Sequence, residues 1–221
     1  GYMQQYEKSI DYYQKALETY EKLGYKAHIA EAIYGLASTY RYWGKFRQAS
    51  QKFRLYREKI SYTPNTDISF FGAYGLGMTL AEQGSCEEAL TVISQALTLN
   101  GLADYNAELY KRKASCLIKQ GQLDEAEQAL KAAHDIFYSL PELVGTAWQL
   151  EVIKISGELA HARGDHKQGY LLLDDYYQQY ADLLIKNSSS RVINVRASME
   201  IERQEIEKAL TMQRKKIGRL E

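Results

Sequence analysis

His161, Asp165 and His166 stand within six residues in the stretch HARGDH. Two imidazoles and a carboxylate so close together are the materials of a metal site or a proton relay. The spacing argues against it. Zinc sites on a helix take histidines three or four residues apart on one face. His161 falls where one helix should end and His166 where the next should start, across a tight turn, so two surface histidines are expected. His28 and His134 are isolated. Cys86 and Cys116 are the only cysteines; their spacing makes neither a zinc pattern nor a disulfide framework. They are expected as small buried hydrophobes, which fits a reducing compartment. Glu87 with Glu88, and Asp174 with Asp175, read as solvated helix faces. There is no glycine-rich phosphate loop and no strand pattern to carry one. The residues predict no catalytic site, no metal and no cofactor.

The chain has 221 residues, 28 basic and 28 acidic, for a formal net charge of zero. A nucleic-acid binder usually carries a basic surplus, so that class is disfavoured. No apolar run approaches the roughly 18 residues of a membrane helix, and no membrane contact is expected. Only two prolines, Pro64 and Pro141, interrupt a chain rich in Ala, Leu, Glu, Gln and Lys, which predicts helix almost throughout. Nineteen tyrosines suit half-buried places, ring packed and hydroxyl wet.

Gly44, Gly84, Gly121 and Gly164 recur 40, 37 and 43 residues apart and carry the same surroundings. Five residues after each stands a small residue: Ala49, Ala89, Ala126, Gly169. Four further on stands a large apolar one: Phe53, Ile93, Leu130, Leu173. Seven before each is again small: Ala37, Gly77, Ala114, Gly157. Four before are Tyr40, Leu80, Leu117 and Ala160. Pro64 and Pro141 each follow a glycine by twenty residues, where one unit should end. The pattern predicts helical hairpins. A left-handed glycine ends helix A, small residues let helices A and B cross closely, and the large residue fills the gap between hairpins.

The segment from Leu36 to Phe53, with Ala37, Tyr40, Gly44, Phe46 and Ala49, resembles the tetratricopeptide repeat (TPR) family. So do Leu76, Gly77, Leu80, Gly84, Ala89, Ile93 and Ala96 in the next unit, and Ala114, Leu117, Gly121, Leu123, Ala126, Leu130 and Ala133 in the third. The fourth departs from the pattern, with Ser156 and His166 at usually apolar places. The resemblance implies an all-α solenoid of helical hairpins, a right-handed superhelix over residues 1–186. A partial repeat would occupy 1–27, and full repeats about 28–63, 68–101, 105–140 and 146–186. The units exceed the family's usual length of about 34 residues and resemble the extended repeats of bacterial signalling proteins. Tyr6, Ser9, Tyr13 and Ala16 fall at helix B positions with no helix A before them, so the chain is expected to start inside a repeat; a native N-terminal cap is the alternative.

In this family the A helices line a ligand groove. Its groove positions map onto Glu31, Tyr34, Ser38, Arg41 and Tyr42, then Phe71, Tyr74, Met78 and Glu82, then Glu108, Lys111, Ser115 and Lys119, and finally Glu151, Lys154, Glu158 and His161. The implied partner is a protein or peptide. Aromatic anchors would meet Tyr34, Tyr42, Phe71 and Tyr74, and ligand carboxylates would meet Lys111, Lys119 and Lys154. The asparagines that chaperone-binding members use to hold a C-terminal carboxylate are missing. An ordinary wet groove crossed by Glu–Lys pairs is the other reading.

After the run NSSS at 187–190, residues 190–221 predict a charged helix of about 30 residues, roughly 45 Å. Val192, Val195, Met199, Ile206 and Ala209 share a heptad seam. Two readings stand: a cap on the last hairpin, or a coiled coil joining two protomers. A TPR array followed by such a helix resembles the sensory region of bacterial diguanylate cyclases (GGDEF proteins) and histidine kinases, with an output domain beyond the helix. This implies a non-catalytic, cytoplasmic input module, periplasmic if the whole protein carries a signal peptide and membrane helix. A free-standing peptide-binding adaptor and a quorum-peptide regulator are the alternatives.

Overall fold

Gly44, Gly84, Gly121 and Gly164 all adopt a left-handed backbone, with φ of +75°, +89°, +76° and +87°. Each closes the same cap. Lys45 N donates to Tyr40 O at 2.8 Å, Ser85 N to Leu80 O at 2.9 Å, Gln122 N to Leu117 O at 3.0 Å and Asp165 N to Ala160 O at 3.0 Å. The glycine N–H of each turn bonds three residues back, as Gly44 N does to Arg41 O at 2.9 Å. This is the two-bond motif that satisfies the last carbonyls of a helix. The position four before each glycine is therefore the one whose carbonyl closes the cap.

The computed structural model describes residues 2–61 and 65–189. The chain divides into two compact units, Gly1–Tyr176 and Tyr177–Glu221. The first contains α1 (Tyr2–Leu23), α2 (Lys26–Tyr42), α3 (Phe46–Ile60), α4 (Thr66–Gln83), α5 (Cys86–Thr98), α6 (Ala103–Lys119), α7 (Leu123–Ser139) and α8 (Ala147–Ala162). A further helix, α9, begins at 166 and occupies 166–176 of this unit. Among the described residues there is no strand. Asn65 caps α4 by accepting from the N–H groups of Asp67 and Ile68. Pro141 opens a short 3-10 turn, Pro141–Leu143, between α7 and α8.

Helices α2–α3, α4–α5, α6–α7 and α8–α9 form successive hairpins, and small residues sit at their crossings. Ala37, Ala49, Ala89, Ala114 and Ala126 are fully enclosed. A Cβ on Gly77 would lie 2.9 Å from Ile93 Cγ1. Phe53 reaches outward from its hairpin, and a Cβ on Gly75 in the next one would lie 2.2 Å from its ring. Tyr13 of α1 meets Gly35 of α2 in the same way, at 2.3 Å. Stacking thus buries what a lone hairpin would expose. One apolar cluster gathers Phe53, Phe70, Leu76, Ile93 and Leu109; the next gathers Leu117, Leu130, Phe137 and Val152; Leu90 packs against both. The first unit is an all-α helical-hairpin solenoid.

In the second unit, residues 177–189 are helical. That includes 187–189, where a break was expected. Asn and Ser cost only a few tenths of a kcal/mol in a helix interior, so a capping signature alone does not stop a helix. Val192, Val195, Met199, Ile206 and Ala209, with the rest of 190–221, lie outside the described residues. Among the described residues, no helix is long and apolar enough to cross a membrane.

Candidate functional site

The A helices α2, α4, α6 and α8 each place a charge beside the next. Arg41 grips Glu82 with two parallel bonds, Nε and Nη2 each donating at 2.8 Å. Both side chains are largely covered, and the planar guanidinium suits this bidentate grip. Arg112 Nη2 lies 4.0 Å from Glu82 and 3.5 Å from Glu151. Its Nε is buried without a partner. The signs alternate from Arg41 through Glu82 and Arg112 to Glu151.

Lys111 lies beneath this row. Its side chain is 0% exposed. The ammonium donates to Glu108 and to Trp148 O at 3.0 Å, and pairs with Glu151 at 2.7 Å. The Phe137 ring centroid is 5.5 Å away. Burial pushes the Glu108 carboxyl above the ordinary carboxylate range, and Lys111 offsets this only in part. Burial also pushes Glu151 upward, but Lys111 and Arg112 outweigh it and hold that carboxyl below the range. Lys111, expected to meet a ligand carboxylate, is spent inside the protein. The reason is its three partners, one on its own helix and two from α8, which compensate a buried ammonium.

The N-terminal end of the same face is aromatic. Tyr34, Tyr56, Phe71 and Tyr105, with Ile60 and Ile68, line an open cleft of about 610 Å³. Tyr34 lies 5.2 Å from Tyr56, and Phe71 meets Tyr105 edge-on at 5.3 Å. Tyr74 is buried under Tyr105, centroids 4.9 Å apart. Burial pushes the Tyr56 hydroxyl up to about 12 and raises Tyr74 as well. Burial raises the Tyr34 hydroxyl too, so the Tyr34 and Tyr56 phenols stay neutral near pH 7 and the cleft wall they form is apolar ring surface. Among the described lining residues, Glu31 is the one that carries a charge.

Two family models for the tetratricopeptide repeat match residues 2–58 and 76–137, together more than half of the chain. The chain belongs to the tetratricopeptide repeat family. No curated protein matches it. Among solved structures it is similar to a putative kinesin light chain with nearly identical TPR-like repeats from Podosopora anserina, at 14% identity and TM-score 0.63 over 81% of this chain and 89% of that one. BtubC from P. vanneervenii aligns at 18% and 0.58 over 88% and 92%. YrrB, described as a TPR protein with an unusual peptide-binding site, aligns at 21% and 0.54 over 86% and 85%. At these identities the likeness shows the fold.

Within this TPR array, the positions taken from the family groove are distributed unevenly. Tyr34 and Phe71 are half-buried cleft walls. Tyr42 is exposed, with Arg41 held 5.5 Å over its ring. Lys119 is exposed, and Lys154 stands 3.9 Å from Glu158. Tyr105 and Arg112 were missed. They share a helix stripe with Glu108, at i−3 and i+4. Following that stripe, rather than the one through Lys111, would have found them. Tyr56, Ile60 and Ile68 come from segments outside the family's groove positions.

Proposed function

We propose that this chain is a protein-interaction module that holds an extended peptide across its A helices and seats one large apolar side chain in the Tyr34–Tyr56–Phe71–Tyr105 cleft. The cleft itself carries the reading. It is concave, mostly apolar and rimmed by hydroxyls, as small binding sites are. The neighbouring charges turn the reading away from carboxylate capture, because Arg41 and Lys111 already hold glutamates. Glu31 on the rim favours a basic residue next to the anchor. The similarity to YrrB supports a peptide as the class of ligand.

A phage-displayed random peptide library selected on the intact chain tests this. Peptides with an aromatic or large aliphatic residue should be enriched. Tyr34→Ala and Phe71→Ala should each weaken them at least about tenfold, the scale of one lost anchor contact. Lys119→Ala should leave them unchanged. Circular dichroism confirms that each variant is folded. Selected peptides that bind Phe71→Ala as well as the parent would end the proposal.

In a finer version, the module is the sensory region of a bacterial signalling protein such as a diguanylate cyclase, and residues 190–221 relay the bound state, paired through Val192, Val195, Met199, Ile206 and Ala209. The resemblance of the segment RVINVRASMEIERQEIEKAL to the linking helices of those proteins supports it. An output domain encoded shortly beyond Glu221 is the expected finding, and a stop codon there removes it in favour of a free-standing adaptor. A strict monomer in light scattering at high concentration would remove the pairing.

A further inference from the structure

We propose that His161 and His166 form a two-point binding site for an imidazole-preferring transition-metal ion, of the Zn²⁺, Ni²⁺ or Cu²⁺ class, at the turn between α8 and α9. Five residues apart across a turn, they are not helical face-mates. The fold brings them together by another route. Gly164 ends α8 in the left-handed conformation and Asp165 caps α9, its Oδ1 accepting from Gln168 N at 2.9 Å. Immediately beyond, the two helices touch through backbone. A Cβ on Gly169 would lie 3.0 Å from Gly157 O and 3.2 Å from His161 Cβ. The other three units carry Ala49, Ala89 and Ala126 at this place. The glycine draws the first turn of α9 against the last turn of α8, and one imidazole stands at each end of that contact.

The result is specific. His161 Nδ1 and His166 Nδ1 lie 2.9 Å apart, with ring centroids at 4.5 Å and planes inclined by 51°. Without metal, one ring donates and the other accepts. The same span is the bite of a chelate. Two metal–nitrogen bonds of about 2.0–2.1 Å subtending about 90–110° set their nitrogens about 2.8–3.4 Å apart. A metal ion takes the place of the shared proton once each ring turns its Nδ1 lone pair from the other ring toward the ion. Both histidines are exposed, so an ion reaches them without crossing the core. The adjacent Arg163 is turned to α7, where Asp124 at 2.7 Å and Glu127 at 3.0 Å balance its charge.

Imidazole nitrogen selects against Mg²⁺ and Ca²⁺, and among divalent ions the affinity order favours Cu²⁺, Ni²⁺ and Zn²⁺. No group of three or more His, Cys, Asp or Glu side chains placed to hold a metal occurs among the described residues. The protein therefore supplies two ligands, and the remaining positions fall to water or to a donor from a second molecule.

Calorimetric titration of tag-free protein with NiCl₂ and with ZnCl₂, in a non-coordinating buffer at pH 7.5, tests the site. The expected result is one equivalent bound, no response to MgCl₂, and loss of that equivalent in both His161→Asn and His166→Asn. His134→Asn, whose ring stacks on Tyr138 instead, should bind as the parent does. Cu²⁺ electron paramagnetic resonance should show two imidazole nitrogens in the parent and fewer in either variant. Circular dichroism checks that the variants are folded. No binding of Ni²⁺ or Zn²⁺, or binding that survives in the double variant, would overturn the proposal.

Discussion

Lys111→Met is expected to destabilise the protein by about 3–5 kcal/mol at pH 7, the usual cost of removing one partner from a buried ion cluster. The methionine stem fills the space of the lysine stem, so the loss is electrostatic rather than a cavity. Glu108, only 6% exposed, would lose the ammonium beside it, and Glu151 would depend on Arg112 and Lys154. The effect has a pH signature. The Glu108 carboxyl is already raised in the folded protein. A raised carboxyl favours the fold below the ordinary carboxylate range and works against it as pH climbs through the folded value. Without Lys111 it rises further, so the deficit should shrink between pH 7 and pH 5. Glu151 acts in the opposite sense in the parent: its lowered carboxyl supports the fold above the ordinary range and loses that support as pH falls. The double variant Lys111→Met, Glu108→Leu should recover most of the stability, since an apolar pair can replace a buried ionic one. Urea unfolding of the three proteins at both pH values provides the numbers. A Lys111→Met loss that is small and independent of pH would mean the ammonium is not enclosed.

Phe53→Ala is expected to cost about 3–5 kcal/mol, the range for a large ring removed from a core that cannot collapse. The ring is 1% exposed, stands edge-on to Tyr34 at 5.6 Å and covers Gly75 of the following hairpin. A glycine offers no side chain to fill the hole. The partner substitution makes the test sharper. Gly75→Ala alone should cost about 1–3 kcal/mol by overpacking, its methyl lying 2.2 Å from the ring before relaxation. In the Phe53→Ala background that methyl enters the vacated space, and alanine also favours the helix by about 1 kcal/mol over glycine. The double variant should therefore be more stable than the two single losses summed, by an interaction term well above about 0.5 kcal/mol. Additive losses in chemical denaturation would show that this contact does not join the hairpins.

Much of the architecture can be read from residue types because its rules are local. A left-handed glycine closes a cap within five residues, and the carbonyls of Tyr40, Leu80, Leu117 and Ala160 are placed by that closure alone. Small residues at Ala49, Ala89 and Ala126 mark crossings because nothing larger fits. The site is harder to read because its determinants are distant in sequence. Lysine is ordinarily a surface residue, and Lys111 is buried only because Glu151 and the Trp148 carbonyl arrive from about forty residues away. Family groove positions assume a common rotation of every A helix. In α6 the stripe through Tyr105, Glu108 and Arg112 faces its neighbours, and Lys111 points inward. The His161–His166 contact crosses a turn, where helical periodicity predicts nothing.

The alternating row from Arg41 to Glu151 bears on how this array can change length. Glu82 lies between two cations and Arg112 between two carboxylates. Counted back from the turn glycines, the four charges stand at three, two, nine and thirteen residues, so they do not occupy one repeated position. Excising a hairpin would bring together charges six to eleven positions out of step, such as Glu82 with Glu151, instead of rebuilding the row. The row therefore ties these hairpins to their present order, and a shortened or shuffled array would have to find new counter-ions.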